Sequence, residues 1–188
     1  NIDIVSGSFL HNSENQHILE EDEKERIIEA EGIKYHILRV MSYSKRVDRI
    51  IAMIQFFFKV IFFSKKLLKD SKPDIIIASS PHPFNGLAGM YLARKSKCPF
   101  ILEIRDLWPE TWVAMGATTK KSILYKVFAY IEKVLYKNAD KIVTLTANKD
   151  YYISVGVDEK KVEIVSNGVD LEKYDSLVDE ESPIKLSE

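Results

Sequence analysis

Arg105 and Asp106 are the residues of this chain best placed to do chemistry, because of what surrounds them. Pro99-Phe-Ile-Leu-Glu-Ile104 is a short apolar run opened by a proline, which reads as a buried strand. The two opposite charges come where that strand leaves the sheet, and Trp108, Pro109, Glu110 and Trp112 follow at once. Ligands of open α/β sheets bind in the crevice outside the carboxyl ends of the strands. A charged pair followed by two tryptophans has little to do for packing alone at such a place. The structural alternative is that Asp106 caps the next helix, with Pro109 in its first turn. The two roles are compatible.

A second candidate group lies in Ser79-Ser-Pro-His-Pro83, after the β-branched run Ile75–Ala78. That run reads as a strand buried on both faces of a parallel sheet. His82 is fixed between Pro81 and Pro83, and Phe84-Asn-Gly-Leu-Ala-Gly89 then opens a helix over 85–97. Asn85 and Gly86 leave the backbone N–H groups of its first turn open, a place that suits an anion or a substrate hydroxyl. Ser166-Asn-Gly-Val-Asp170 is first of all a turn. The four histidines and the single cysteine show no metal-ligand spacing, so no metal is expected. Cys98, at the start of a strand, reads as a small core residue. One cysteine excludes a disulfide framework and fits a reducing compartment.

The elements that must position these residues can be read in order. Ile2–Val5 is a short strand, and 10–25 is a polar, acidic surface segment. Residues 20–31 support either a helix ended by Gly32 or a hairpin in which 26–30 pairs with 33–40 across Glu31-Gly32; propensity favours the helix. Residues 48–69 form the most hydrophobic stretch, a helix too interrupted by Lys59 to cross a bilayer and too apolar to bury only one face. It packs on the sheet with one side and leans on lipid or a partner with the other. The ordinary alternative is a core helix with snorkelling lysines. Helix 121–138 turns Ile123, Leu124, Val127, Phe128, Ile131, Val134 and Leu135 inward and its lysines outward. A strand over 141–146, a helix over 147–155 ended by Gly156, and a strand over 162–165 complete the series. Residues 176–188 read as an acidic linker or tail. Strand-helix alternation from Asp74 onward is the pattern of an α/β, Rossmann-like, doubly wound and mainly parallel sheet.

The 188 residues suffice for one domain, and with 46% hydrophobic residues a sizeable core is available. A net charge of -1 speaks against a nucleic-acid partner. That balance hides a basic, apolar segment at 45–69, where Lys45, Arg46, Arg49, Lys59, Lys65, Lys66 and Lys69 face Asp48 alone. Such a segment suits an anionic membrane surface. No Gly-x-Gly-x-x-Gly follows a strand, which speaks against a free dinucleotide-binding domain.

Ile-Leu-Glu-Ile-Arg-Asp-Leu-Trp-Pro-Glu, residues 101–110, resembles the Arg-Asp-Leu-Trp-Pro segment of bacterial family-four retaining glycosyltransferases of GT-B fold, of the capsule, O-antigen and exopolysaccharide type. The likeness runs from about Asp3 to Asp175, and its other specific part is Ser166–Asp170. It implies that residues 1–175 are the N-terminal, acceptor-side domain of an enzyme whose nucleotide-sugar donor binds a second, C-terminal domain that this chain lacks. By that match Asp106 meets the attacking hydroxyl of the acceptor and Arg105 acts beside it. Ser80, His82, Asn85, Trp108, Glu110 and Trp112 belong to the acceptor side. Asn167 and Gly168 form the turn that lines the cleft. The acceptor is a lipid-linked or other saccharide, and no cofactor is expected. The 48–69 helix corresponds to the region that rests on the cytoplasmic membrane surface, placing the protein in the cytoplasm, peripheral on the inner face of the plasma membrane. The family pattern also favours the hairpin over the helix before Gly32.

Two departures carry consequences. The family's first strand and glycine-rich loop belong before Asn1. That strand is normally central, so either the sheet is rearranged or a further piece completes it. The donor domain's two glutamates eight residues apart are matched only by Glu180 and Glu188 in the acidic tail, a chance spacing. The chain alone is therefore expected to lack transfer activity. The alternative function is a non-catalytic, membrane-docking scaffold subunit that recruits a catalytic partner.

Overall fold

Glu31 and Gly32 decide the first ambiguity. Both have positive φ, 52° and 76°, the backbone of a two-residue turn whose twist matches that of flanking strands. Strands β1 (Ile2–Gly7), β2 (Glu25–Ala30) and β3 (Ile33–Leu38) form a sheet in the order β1-β3-β2. Ala30 lies opposite Ile33 across the turn, and β1 runs parallel to β3. The hairpin prevails over helix propensity because β3 gains partners on both edges, and packing outweighs the weak preference of an acidic segment. The computed structural model describes residues 1–9, 18–69, 72–145, 149–168 and 170–171. The expectations for 10–17, 146–148 and the tail 176–188 lie outside them.

Helix α1 (Arg46–Leu67) follows, then β4 (Ile76–Ser80), α2 (Pro83–Ser96), β5 (Phe100–Ile104), α3 (Glu110–Ala114), α4 (Ile123–Asn138), β6 (Lys141–Thr144), α5 (Lys149–Ser154) and β7 (Val162–Ile164). Strands β4 to β7 form a parallel sheet in sequence order. The chain is thus an α/β, Rossmann-like fold. Its strands fall into two separate sheets, and β1 and β4 are edge strands, each paired on one side only among the described residues.

Helix α2 joins the two halves. Its Ala88 and Leu92 pack with Leu38, Val40, Phe56 and Val60 beneath α1. Its Met90 and Ala93 pack with Ala78, Leu102, Leu135 and Ile142 on the parallel sheet. This double contact requires close approach. A Cβ on Gly89 would stand 2.5 Å from Ala78 Cβ, and one on Gly86 2.7 Å from Leu135 Cδ1.

Two burial expectations are corrected. Ile75–Ala78 is not buried on both faces: Ile77 is 62% exposed and Ile75 is exposed too. Helices α2, α4 and α5 cover the face of Ala78, Leu102 and Ile142, while the Ile77 side carries no helix among the described residues. In α4, Phe128 and Leu135 are buried as the periodicity predicts, but Ile123, Leu124 and Val127 are exposed, Ile123 by 81%. The core cluster beneath α4 is met by Ile131, Val134, Leu135 and Tyr136, so the apolar face of the helix outruns what it packs on.

The two sides of β4 should therefore respond oppositely. Gly89→Ala is expected to destabilise by about 1–3 kcal/mol through overpacking, although alanine is the better helix former by about 1 kcal/mol. Ile77→Thr should stay within about 0.5 kcal/mol. Urea unfolding of the variants measures both, and equal losses would contradict this account of the packing.

Candidate functional site at the carboxyl end of the parallel sheet

Because β4 to β7 are parallel, their carboxyl ends lie at one end of the sheet. Ser80 closes β4 opposite Ile104 of β5, so it is a buried strand residue rather than part of the following loop. Arg105 and Asp106 come directly after Ile104 and are exposed. Asp106 does not cap the next helix. The N-cap of α3 is Pro109, and no side chain caps it. Asp106 engages the turn through its backbone instead, accepting from Trp108 N at 3.1 Å. Its carboxylate is thus not consumed by capping.

The tryptophans divide the expected role of an apolar wall. Trp108 is 6% exposed and belongs to the core. It meets Trp112 edge-on at 4.6 Å between ring centroids, and Phe128 of α4 lies 6.1 Å from Trp108 and 4.8 Å from Trp112. Trp112 is half-buried and stands nearer the surface. Glu110 is held by Tyr125, whose hydroxyl donates to it at 2.6 Å, and by Lys120 Nζ at 3.1 Å. The hydrogen bond from Tyr125 is the main reason its carboxyl lies below the ordinary range. The same bond pushes the Tyr125 phenol up to about 12. Glu110 therefore fastens α3 to α4.

His82 caps α2. Its Nδ1 accepts from Asn85 N at 3.3 Å, and that bond assigns the ring proton to Nε2. Burial and the positive charge of Arg49 bring the imidazole down to about 4, so it is neutral at pH 7. Asn85 donates through Nδ2 to Ser79 O at 3.3 Å, while its Oδ1 and Arg49 Nε are buried without a hydrogen-bond partner among the described residues. His82, Asn85 and Arg49 line a cavity of about 330 Å³ together with Ser6 and Gly7 of β1. The candidate residues thus form two groups: His82 and Asn85 in this cavity, Ser80, Asp106 and Trp108 around a smaller recess. Asn167 and Gly168 follow β7, are exposed, and join neither. Among the described residues no group of His, Cys, Asp or Glu is arranged to hold a metal ion. Cys98 is half-buried at the edge of the core, and burial pushes its thiol up.

Glu132 is the residue that the sequence reading missed. It lines the recess with Ser80 and Asp106 from the inner side of α4. It accepts from Tyr136 OH at 2.7 Å and from Tyr151 OH at 3.2 Å. Desolvation outweighs these bonds and pushes its carboxyl up to about 7, with Glu110 adding repulsion. The only local signal was the spacing Glu132–Tyr136, one helical turn apart beside the row Phe128–Ile131–Leu135.

On α1, Val47, Ile51, Phe58 and Phe62 are exposed and lie on one stripe at helical spacing, opposite the buried Ala52, Met53, Phe56 and Val60. Lys65 and Lys69 are exposed at its end, while Lys66 pairs with Glu25. No helix among the described residues is long and apolar enough to cross a membrane.

A parallel sheet with helices packed on it and a charged pair at the carboxyl end of an inner strand defines an α/β domain of Rossmann-like fold. The family model of Glycosyltransferase Family 4 matches residues 21–173, and the chain belongs to that family. Among solved structures, it is similar to Anabaena Alr3699/HepE in complex with UDP and glucose, at 15% identity and a TM-score of 0.48 over 76% of this chain and 33% of that one. The same protein in complex with UDP matches at 12% identity and a TM-score of 0.46, over 74% and 32%. The chain thus spans about a third of the length of the solved structures it matches. No curated protein matches it.

The Glu132 shift has a measurable sign. Its carboxyl rises from an ordinary 4.5 to about 7 on folding, so between these values the folded state holds a proton that the unfolded chain has released. This contribution makes stability fall as pH rises from about 4.5 to about 7, by at most about 3 kcal/mol. His82, brought from 6.5 down to about 4, acts with the opposite sign over nearly the same window, since the unfolded chain there binds a proton that the folded imidazole does not. Glu132→Gln should therefore leave stability rising with pH across the window in denaturation curves. An unchanged pH dependence in the variant would locate the Glu132 contribution elsewhere.

Proposed function

We infer that the chain is the acceptor-side domain of a retaining glycosyltransferase that moves a sugar from a nucleotide-sugar donor to a lipid-linked or saccharide acceptor in bacterial surface polysaccharide synthesis. The observation that carries this reading is the exposed pair Arg105–Asp106 at the carboxyl end of β5, an inner strand, in a member of Glycosyltransferase Family 4. Asp106, free of any capping duty, orients the acceptor hydroxyl and draws on its proton as the hydroxyl attacks. Arg105 offsets negative charge that gathers beside it. The neutral His82 carries an Nε2–H, a donor of the kind that fixes sugar hydroxyls, in the wall of the cavity that Asn85 also lines. Trp112 supplies the nearer apolar surface. Donor binding and stabilisation of the departing diphosphate belong to a second domain, across a cleft of which Asn167 and Gly168 form the rim.

In an enzyme that contains both domains, Asp106→Asn is expected to lower kcat by roughly a hundredfold or more with the donor KM unchanged. Steady-state kinetics with saturating acceptor measures this, and unchanged turnover would remove Asp106 from the mechanism.

The exposed stripe of α1 favours a peripheral seat on the inner face of the plasma membrane, for the enzyme and equally for the alternative of a non-catalytic docking subunit. Phe58→Ser and Phe62→Ser together with Lys65→Glu and Lys69→Glu should weaken co-sedimentation with anionic vesicles about tenfold or more, since each lysine near such a surface contributes about 1 kcal/mol. Equal sedimentation of variant and parent would assign the stripe to a protein partner.

A further inference from the structure

Helix α4 exposes more apolar surface than its packing explains, and the exposed side chains fall in one row. Ile123, Val127 and Tyr130 stand at i, i+4 and i+7, and Ile123 and Tyr130 are 81% and 69% exposed. Lys126, Lys133 and Lys137 form the adjoining row and are exposed too. The one acid of the helix, Glu132, is turned inward, where Tyr136 and Tyr151 bond it. Single exposed apolar residues are ordinary. A row of them beside lysines, with no acid facing out, is the pattern of a helix that lies in a membrane interface. Helix α5 supplies the contrast, because its exposed Ile153 and Val155 lie among Asp150, Asp158 and Glu159.

The row does not stand alone. Helix α2 lies between α4 and α1 and is fastened to each. Arg94 donates to Asn138 Oδ1 of α4, and Lys95 to Ser64 Oγ of α1, both at 2.6 Å. Arg94 and Lys95 are themselves exposed. Among the described residues of α1, α2 and α4 none that is exposed is acidic, since Asp48 is half-buried and Glu132 faces inward. We propose that the outer face of α4, continuous through α2 with the stripe on α1, is a second contact with an anionic lipid surface. The domain then lies flat on the membrane by its helix layer. The ends of the helices fit a flat seat. Phe62 and Lys65 close α1 shortly before β4 begins, so they lie toward the amino end of the parallel sheet. Helix α4 runs from the carboxyl end of β5 back to the start of β6, so Ile123 lies toward the opposite end. Lipid contact thus spans the layer and reaches the end that holds Arg105 and Asp106. Tyr130, between Lys126 and Lys133, puts its ring in the apolar boundary and its hydroxyl among the headgroups. The inference adds α4 to the membrane reading of α1 and rests on it for the shared plane. That a lipid-linked acceptor meets Asp106 at this edge rests on the acceptor-side reading, but the α4 contact does not.

The test places a reporter on α4. Cys98 is the only cysteine, so Tyr130→Cys in a Cys98→Ser background takes a single environment-sensitive fluorophore, and Ile153→Cys provides the control on α5. The full chain is mixed with phosphatidylglycerol–phosphatidylcholine vesicles that carry brominated acyl chains. A label at position 130 should shift to the blue and be quenched, and a label at position 153 should do neither. With Cys98 left in place, Lys126→Glu, Lys133→Glu and Lys137→Glu together should weaken co-sedimentation with the same vesicles about tenfold or more. These three positions are exposed, and their substitution does not threaten folding. An unquenched label at position 130, equal quenching at 130 and 153, or unchanged sedimentation of the lysine variant would overturn the proposal. Binding lost through Phe58 and Phe62 while the label on α4 stays unquenched would keep the seat of α1 and discard that of α4. No readout uses sugar transfer, so failure of the proposed function and failure of this contact are told apart.

Discussion

The approach of α2 to β4 at Gly89 and Ala78 is the constraint on which the rest of the structure depends. At that point no side chain separates helix from sheet, and an added methyl would collide with a Cβ fixed to a backbone. Close seating lets one face of α2 share the core of the parallel sheet while Ala88 and Leu92 reach the core under α1. With no hydrogen bonds joining β1 to β4 among the described residues, this helix layer carries the link between the two sheets. It also fixes the N-terminus of α2, where His82 serves as both cap and cavity wall. A small displacement of α2 would move His82 and Asn85 away from the end of β4 together.

Much of this was legible before any coordinates. The run ending at Ile104 gave the strand, and the charges after it gave the exposed pair, because burial and exposure of short segments follow from local composition. The Glu31-Gly32 turn was legible as one of two alternatives, and what settled it was nonlocal: the partners that β3 finds on both edges. Periodicity identified the apolar face of α4 but not how far a core runs beneath it, hence the exposed Ile123 and Val127. Trp108 looked like a surface for ligand because its sequence neighbours are charged, yet Phe128, twenty positions later, draws it inward. Glu132 was hidden for the same reason. Its setting is made by Tyr151 from α5 and by the recess beside Asp106, and from sequence its helix displays chiefly lysines.

Burial and hydrogen bonding pull on Glu132 in opposite directions, and burial wins. Two phenol donors would lower a carboxyl in water, but here they are too few to replace the solvation removed by α4, α5 and the loop after β5. Glu110 shows the contrary balance: one phenol and one lysine suffice because its carboxyl remains near solvent. Two glutamates on neighbouring helices, each bonded to tyrosine, are thus shifted in opposite directions from the ordinary carboxyl value by their access to water.

The exposed apolar surfaces can be separated by the charges around them. The stripe on α1 runs into Lys65 and Lys69, a combination that anionic lipid rewards and that a protein core would have to neutralise. The uncovered face of the parallel sheet carries Ile77 together with Glu103 and Glu163, and Lys141 pairs with Glu163 at 2.8 Å. The basic flank of α1 and the mixed charges of the sheet face thus set the two exposed apolar surfaces apart.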